Sequence, residues 1–95
     1  MPYTTNEISW QGRTFILNHK IICTAKKEDG LIIIEYEPLK IRSYAINRKK
    51  AVQDFNEEFS FLWEQYGKAD DQLLAKDAIA IKLYLKNLIK MEFIN

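Results

Sequence analysis

His19 and Cys23 are the single histidine and the single cysteine of this chain, and their types suit nucleophilic catalysis. That chemistry needs a nucleophile, a base and an oxyanion site in mutual reach. Four residues along a strand separate Cα atoms by roughly 13 Å, too far for a hydrogen-bonded dyad. The pair therefore reads as a histidine in a strand connection and a packed cysteine. One cysteine and one histidine also fall short of the about four ligands of a zinc site. Asp70-Asp71 with Glu57 or Glu58 could attract a magnesium ion, but reads more simply as a solvated loop that helps start a helix. Gly12, Gly30 and Gly67 are isolated, so no glycine-rich phosphate loop exists. No catalytic residue, metal ligand or cofactor is assigned, and a non-enzymatic protein is expected.

Binding chemistry is better represented. Asp54, Glu57, Glu58 and Glu64 are the acidic residues between Ala51 and Tyr66, a stretch with no basic residue. At 100° per residue Phe61 joins them, away from the apolar stripe of the same helix. Phe61 lies either under the last helix or at the centre of an acidic patch that suits a basic protein partner. Asp54, Glu57, Glu58 and Phe61 are the candidate contacts. Lys82, Lys86 and Lys90 form an i, i+4, i+8 row. They are the alternative: a nucleic-acid surface, extended by Arg48, Lys49 and Lys50. Ile79 and Leu83 fall outside the main apolar face of that helix. A helix apolar on more than one side wants two neighbours, and a homodimer is the expected source of the second.

The elements that position these residues follow from local pattern. Glu7–Trp10, a turn at Gln11-Gly12, Arg13–Leu17, Ile21–Lys27, Leu31–Glu37 and Lys40–Ile46 read as strands, rich in β-branched and aromatic residues. Glu28-Asp29-Gly30 reads as a three-residue hairpin loop with Gly30 left-handed. That loop sets Lys27 opposite Leu31, Thr24 opposite Ile34 and Ile22 opposite Tyr36. Apolar residues then fall on both faces, so both faces are expected to be partly covered. Pro38 ends its strand. Asn47 is an N-cap for a helix over about 48–66. Val52, Phe55, Phe59, Leu62, Trp63 and Tyr66 share one face of it, and Gly67 is placed to close it in a left-handed conformation. A second helix is expected over about 76–91, with Ala78, Ile81, Tyr84, Leu85, Leu88 and Ile89 inward. The fold class is α+β: an antiparallel meander of three to five strands over about 7–46, followed by two helices packed on the sheet.

Composition sets the outer bounds. The chain has 95 residues, 47% hydrophobic and 28% charged, which fits one folded domain over 1–95. A domain this size buries roughly two-thirds of its unfolded surface. The net charge of +1 steers it toward neither nucleic acid nor an anionic membrane. No apolar run approaches the roughly 20 residues of a membrane span, and no signal pattern opens the chain. A lone cysteine fits a reducing compartment, so a cytoplasmic location is expected.

Ile21–Tyr66 resembles the N-terminal domain of HicB-like antitoxins. The resemblance is carried by Glu28-Asp29-Gly30, Ile32-Ile33-Ile34, Glu37-Pro38-Leu39, Ser43-Tyr44-Ala45, and Asn47 ahead of Ala51–Phe59. It departs at Lys40-Ile41, where the family has a Pro-Gly-Cys-like continuation, and at Asn47, where Ser or Thr is common. Residues 68–95 are too few for the operator-binding module that many members carry. The resemblance implies toxin binding, by occlusion of a basic ribonuclease, together with dimerisation. It implies no catalytic residue.

Overall fold

A computed structural model describes residues 2–94. Strand β1 (Tyr3–Trp10) and the long β2 (Arg13–Glu28) are joined by Gln11-Gly12, and β3 (Leu31–Tyr36) follows through Asp29-Gly30. A 3-10 turn at Glu37–Leu39, with Pro38 in its first turn, separates β3 from β4 (Ile41–Ala45). Helix α1 (Arg48–Leu62), a single π turn (Trp63–Gly67), a second 3-10 turn (Asp71–Leu73), helix α2 (Lys76–Leu88) and β5 (Ile89–Ile94) complete the chain. The sheet is antiparallel, in the order β1-β2-β3-β4, with β5 also paired to β2. The expected α+β class, meander and helix layer are all present.

The hairpin register differs from the sequence reading by one residue. Glu28 pairs with Leu31, Lys27 with Ile32 and Thr24 with Glu35, so the loop is Asp29-Gly30 alone. Both residues have positive φ, 52° and 80°, the type I′ geometry that matches strand twist. Aspartate tolerates the left-handed region, and this frees Glu28 to join the ladder. The shift re-sorts the faces. Ile32, Ile34 and Tyr36 now lie with Ile21, Cys23 and Ala25, not with Ile22 and Thr24. The Asn18-His19 interruption is real but does not end the strand. Thr5 pairs with Ile21 and Glu7 with Ile16, so β2 carries extra, exposed residues there. Asn18 Nδ2 donates to the carbonyl of Asn87 at 2.7 Å, satisfying one of the orphan acceptors that end α2.

One face of the sheet is roofed by the helices. Ile8, Phe15, Ile21, Cys23, Ile34 and Ile41 from the strands meet Ala51, Phe55, Phe59 and Leu62 of α1 and Leu85 and Leu88 of α2. Phe15 takes Phe59 and Trp63 edge-on, with ring centroids 5.3 and 6.1 Å away. Asn47 caps α1 as expected, its side chain accepting from Lys50 N at 2.8 Å. Ser43 Oγ donates to Ala51 O at 2.9 Å and fixes the start of α1 to β4.

Three boundaries differ from expectation. Helix α1 ends at Leu62 and gives way to the π turn. Gly67 is not left-handed; among glycines, Gly12 and Gly30 have positive φ. A Cβ at Gly67 would stand 2.0 Å from the Trp63 ring, so glycine is required there for close approach. Helix α2 stops at Leu88 rather than near Met91. Ile89-Lys90-Met91-Glu92-Phe93 alternates apolar and charged, a period of two, and this segment pairs with Arg13–Leu17 of β2.

Candidate partner-binding surface

Helix α1 turns Ala51, Phe55, Phe59 and Leu62 into the core, so the opposite arc must meet solvent. Asp54, Glu57 and Glu58 are exposed there, and Phe61 is 52% exposed. The alternative of Phe61 buried under the last helix is therefore excluded. Asp54, Glu57 and Glu58 have no ion-pair partner among the described residues. Glu64 differs. Lys68 Nζ bonds it at 3.1 Å and Arg13 pairs with it. The hydrogen bond from Lys68 chiefly holds its carboxyl below the usual range; burial opposes this, and Arg13 adds to the lowering by hydrogen bond and charge.

The helix face is not flat. Beside Phe61 the β1–β2 turn rises to form an open groove of about 430 Å³. Its walls include Trp10 and Ile94 with Phe61, and Arg13, Glu57 and Glu64 at the polar positions. Asn56 Nδ2 donates to Ser9 O at 3.1 Å, tying α1 to the end of β1 just before the turn. Glu57 and Phe61 are thus brought together with two apolar residues, while Asp54 and Glu58 lie on the helix outside the groove. Sequence reasoning missed Trp10 and Ile94. Trp10 carried one readable signal, a large aromatic at the last strand position before a tight turn; Ile94 carried none, lying beyond the helix expected to end near Met91.

The lysine row is not assembled. Lys90 lies in β5, off the helix. Lys82 Nζ is 2.6 Å from Asp71 Oδ1 and also donates to Ala69 O, so its charge serves the loop. Lys86 is exposed on α2. Arg48 donates to Pro2 O and stacks over Tyr3, with its guanidinium carbon 5.8 Å from the ring centroid. Lys49 and Lys50 are exposed at the start of α1. On α2, Ile79 is half-buried and Leu83 exposed.

The residues with chemistry in their types are apart. Cys23 is fully buried, and burial pushes its thiol up to about 11, away from reactive thiolate. His19 is exposed, its Nδ1 against Lys20 O at 3.0 Å. Asp70 accepts from Gln72 N at 3.0 Å as a cap. Among the described residues no three His, Cys, Asp or Glu side chains gather as a metal site, and no helix is long and apolar enough to cross a membrane. Comparison with protein-family models, curated proteins and solved structures finds no match for this chain.

Proposed function

We propose that this protein is a non-enzymatic binding module whose groove between α1 and the β1–β2 turn receives a basic protein partner. One observation carries the reading: Phe61, half-exposed on the helix, shares a groove with Trp10 and Ile94 and has Glu57 at its rim. Large apolar side chains in a concavity act as anchors. The unpaired carboxylates around them steer a cationic surface and favour it over an anionic one. Asp54 and Glu58 extend the acidic field along the helix. The resemblance to HicB-like antitoxins agrees with this reading, and a ribonuclease toxin held by occlusion is the partner it would supply.

A nucleic-acid role for Lys82, Lys86 and Lys90 is the weaker alternative, since Lys82 is engaged by Asp71 and Lys90 leaves the helix. A pull-down from native-host lysate at near-physiological salt, with and without nuclease, separates the two. Wild type is expected to retain a nuclease-resistant protein that Phe61→Glu loses. With that partner in hand, Phe61→Ala should weaken affinity by at least about 30-fold, the scale of a hot spot. Glu57→Gln should act less, and mainly on the salt dependence. Equal affinity of wild type and Phe61→Ala, or retention of nucleic acid alone, would overturn the proposal.

A further inference from the structure

Among the described residues, no element roofs the second face of the sheet. The molecule measures 42 × 30 × 22 Å, and its shortest dimension fits two layers, one sheet and one helix layer. An antiparallel sheet can stand half in water when the wet face is polar, and this one is only partly so: Thr24, Lys26, Glu28, Glu35 and Arg42 share it with large apolar side chains. Along β2, β3 and β4 the outward row Lys26, Ile33, Tyr44 is aligned by register; Ile22 lies on the same side of β2, opposite Thr4, and Ile46 directly follows β4. Ile22 is 69% exposed, Ile46 76% and Tyr44 57%. Outward Met91 and Phe93, opposite Ile16 and Thr14, add further exposed apolar surface.

We infer that this outer face is where two copies of the chain stack, sheet against sheet, with their helices outward. Two features favour a second copy. The first is charge. Lys26 Nζ lies 3.5 Å from Glu28 and 3.7 Å from Glu35, and Arg42 is Glu35's cross-strand neighbour. The face therefore carries both signs in balance, where the α1 face is acidic, and a like copy meets no net charge. The second is area. The exposed parts of Ile22, Tyr44, Ile46, Met91 and Phe93 come to roughly 600 Å² per copy at the areas usual for such side chains, near the about 800 Å² per partner of a stable interface. On α2, by contrast, Leu83 is the one large apolar side chain exposed among the described residues. Stacked sheets of this kind interdigitate at about 10 Å with strands nearly aligned. The groove at Phe61 plays no part in this argument.

Sedimentation equilibrium of the whole chain, from micromolar to millimolar, tests the inference with Ile22→Lys, Tyr44→Lys and Leu83→Lys as variants. Wild type should show a monomer–dimer equilibrium. Each sheet variant should weaken it by at least about a hundredfold, because a two-fold interface meets every substitution twice and buries both charges. Leu83→Lys should leave it unchanged. Should a sheet variant fail to fold, dilution of wild type followed by methyl NMR decides: Ile22, Ile33 and Met91 signals must move with concentration, and core Ile8 and Ile34 signals must not. A monomer throughout would overturn the second copy and leave the face to a different protein. A dimer insensitive to Ile22→Lys and Tyr44→Lys, or one dissolved by Leu83→Lys, would overturn the surface.

Discussion

Ile33 and Ile34 are neighbours on β3 and point to opposite faces of the same sheet. Ile34 is fully buried among Ala25, Ser43 and the helix layer. Ile33 is 5% exposed, yet no described helix or strand roofs it. Its cross-strand neighbours Lys26 and Tyr44 are the side chains placed to shield it, since such stems can lie across apolar surface while their polar ends stay wet. The inner face is thus excluded from water by rigid elements fixed elsewhere in the fold. The outer face is excluded only as far as flexible side chains cover it. Burial of a single residue is no guide to which kind of shelter it has.

The largest effect expected from this difference is in stability. Ile34→Ala opens a cavity between fixed layers and should cost about 2–5 kcal/mol. Ile22→Ala, at an exposed outer position, should fall within about 0.5 kcal/mol of wild type when the chain is dilute enough to be monomeric. Urea denaturation of both proteins measures the contrast. A comparable loss at Ile22 in dilute solution would mean that the outer face is already covered within one chain.

A smaller effect probes how closely the inner layer is fitted. The Trp63 ring lies back over Gly67 so that it can reach Phe15. Gly67→Ala must push that ring from its place, and overpacking of this kind costs about 1–3 kcal/mol. The near-ultraviolet circular dichroism of the tryptophans should change with it. Unchanged stability would show that the ring has room to move, and the inner face would then be less rigid than its packing suggests.

The fold was legible wherever local chemistry and long-range packing agreed. Asn47, Pro38 and the apolar stripe of α1 act within a few residues of themselves, and each does what its type dictates. The hairpin register was not legible from turn length alone, since Asp29-Gly30 and Glu28-Asp29-Gly30 both end in a left-handed glycine; Asp29 taking positive φ decides between them. Strand β5 was missed because Lys82, Lys86 and Lys90 keep a helical period that runs past Leu88, while the alternation from Ile89 onward is as good a strand pattern. Pairing with β2 decides it, and no local signal reports a distant partner. For the same reason Phe61 and Glu57 could be placed on one helix face from the sequence, but the groove could not: Trp10 and Ile94 arrive there through the turn and through β5.

The smallest effect lies at Arg13, at the start of β2. Arg13 pairs with Glu64 of the π turn that follows α1 and, at 2.9 Å, with Glu92 of β5. Glu64's folded carboxyl is held below its unfolded value, first by the hydrogen bond from Lys68 and then by Arg13. A depressed carboxylate contributes stability that is fully present above the unfolded value of about 4.3. That contribution fades as pH falls through the lower folded value, because the unfolded chain then binds its proton first. Glu64 is nearly half exposed, so solvent screens the contribution to less than about 1 kcal/mol. Glu64→Gln should therefore lower stability slightly at pH 7, and the two curves should converge as pH falls below about 4. If the curves stay parallel, Glu64 acts by shape rather than charge. The groove's acidity would then rest on Glu57, with Asp54 and Glu58 beside it on the helix, and raising the salt should weaken partner binding equally in wild type and Glu64→Gln.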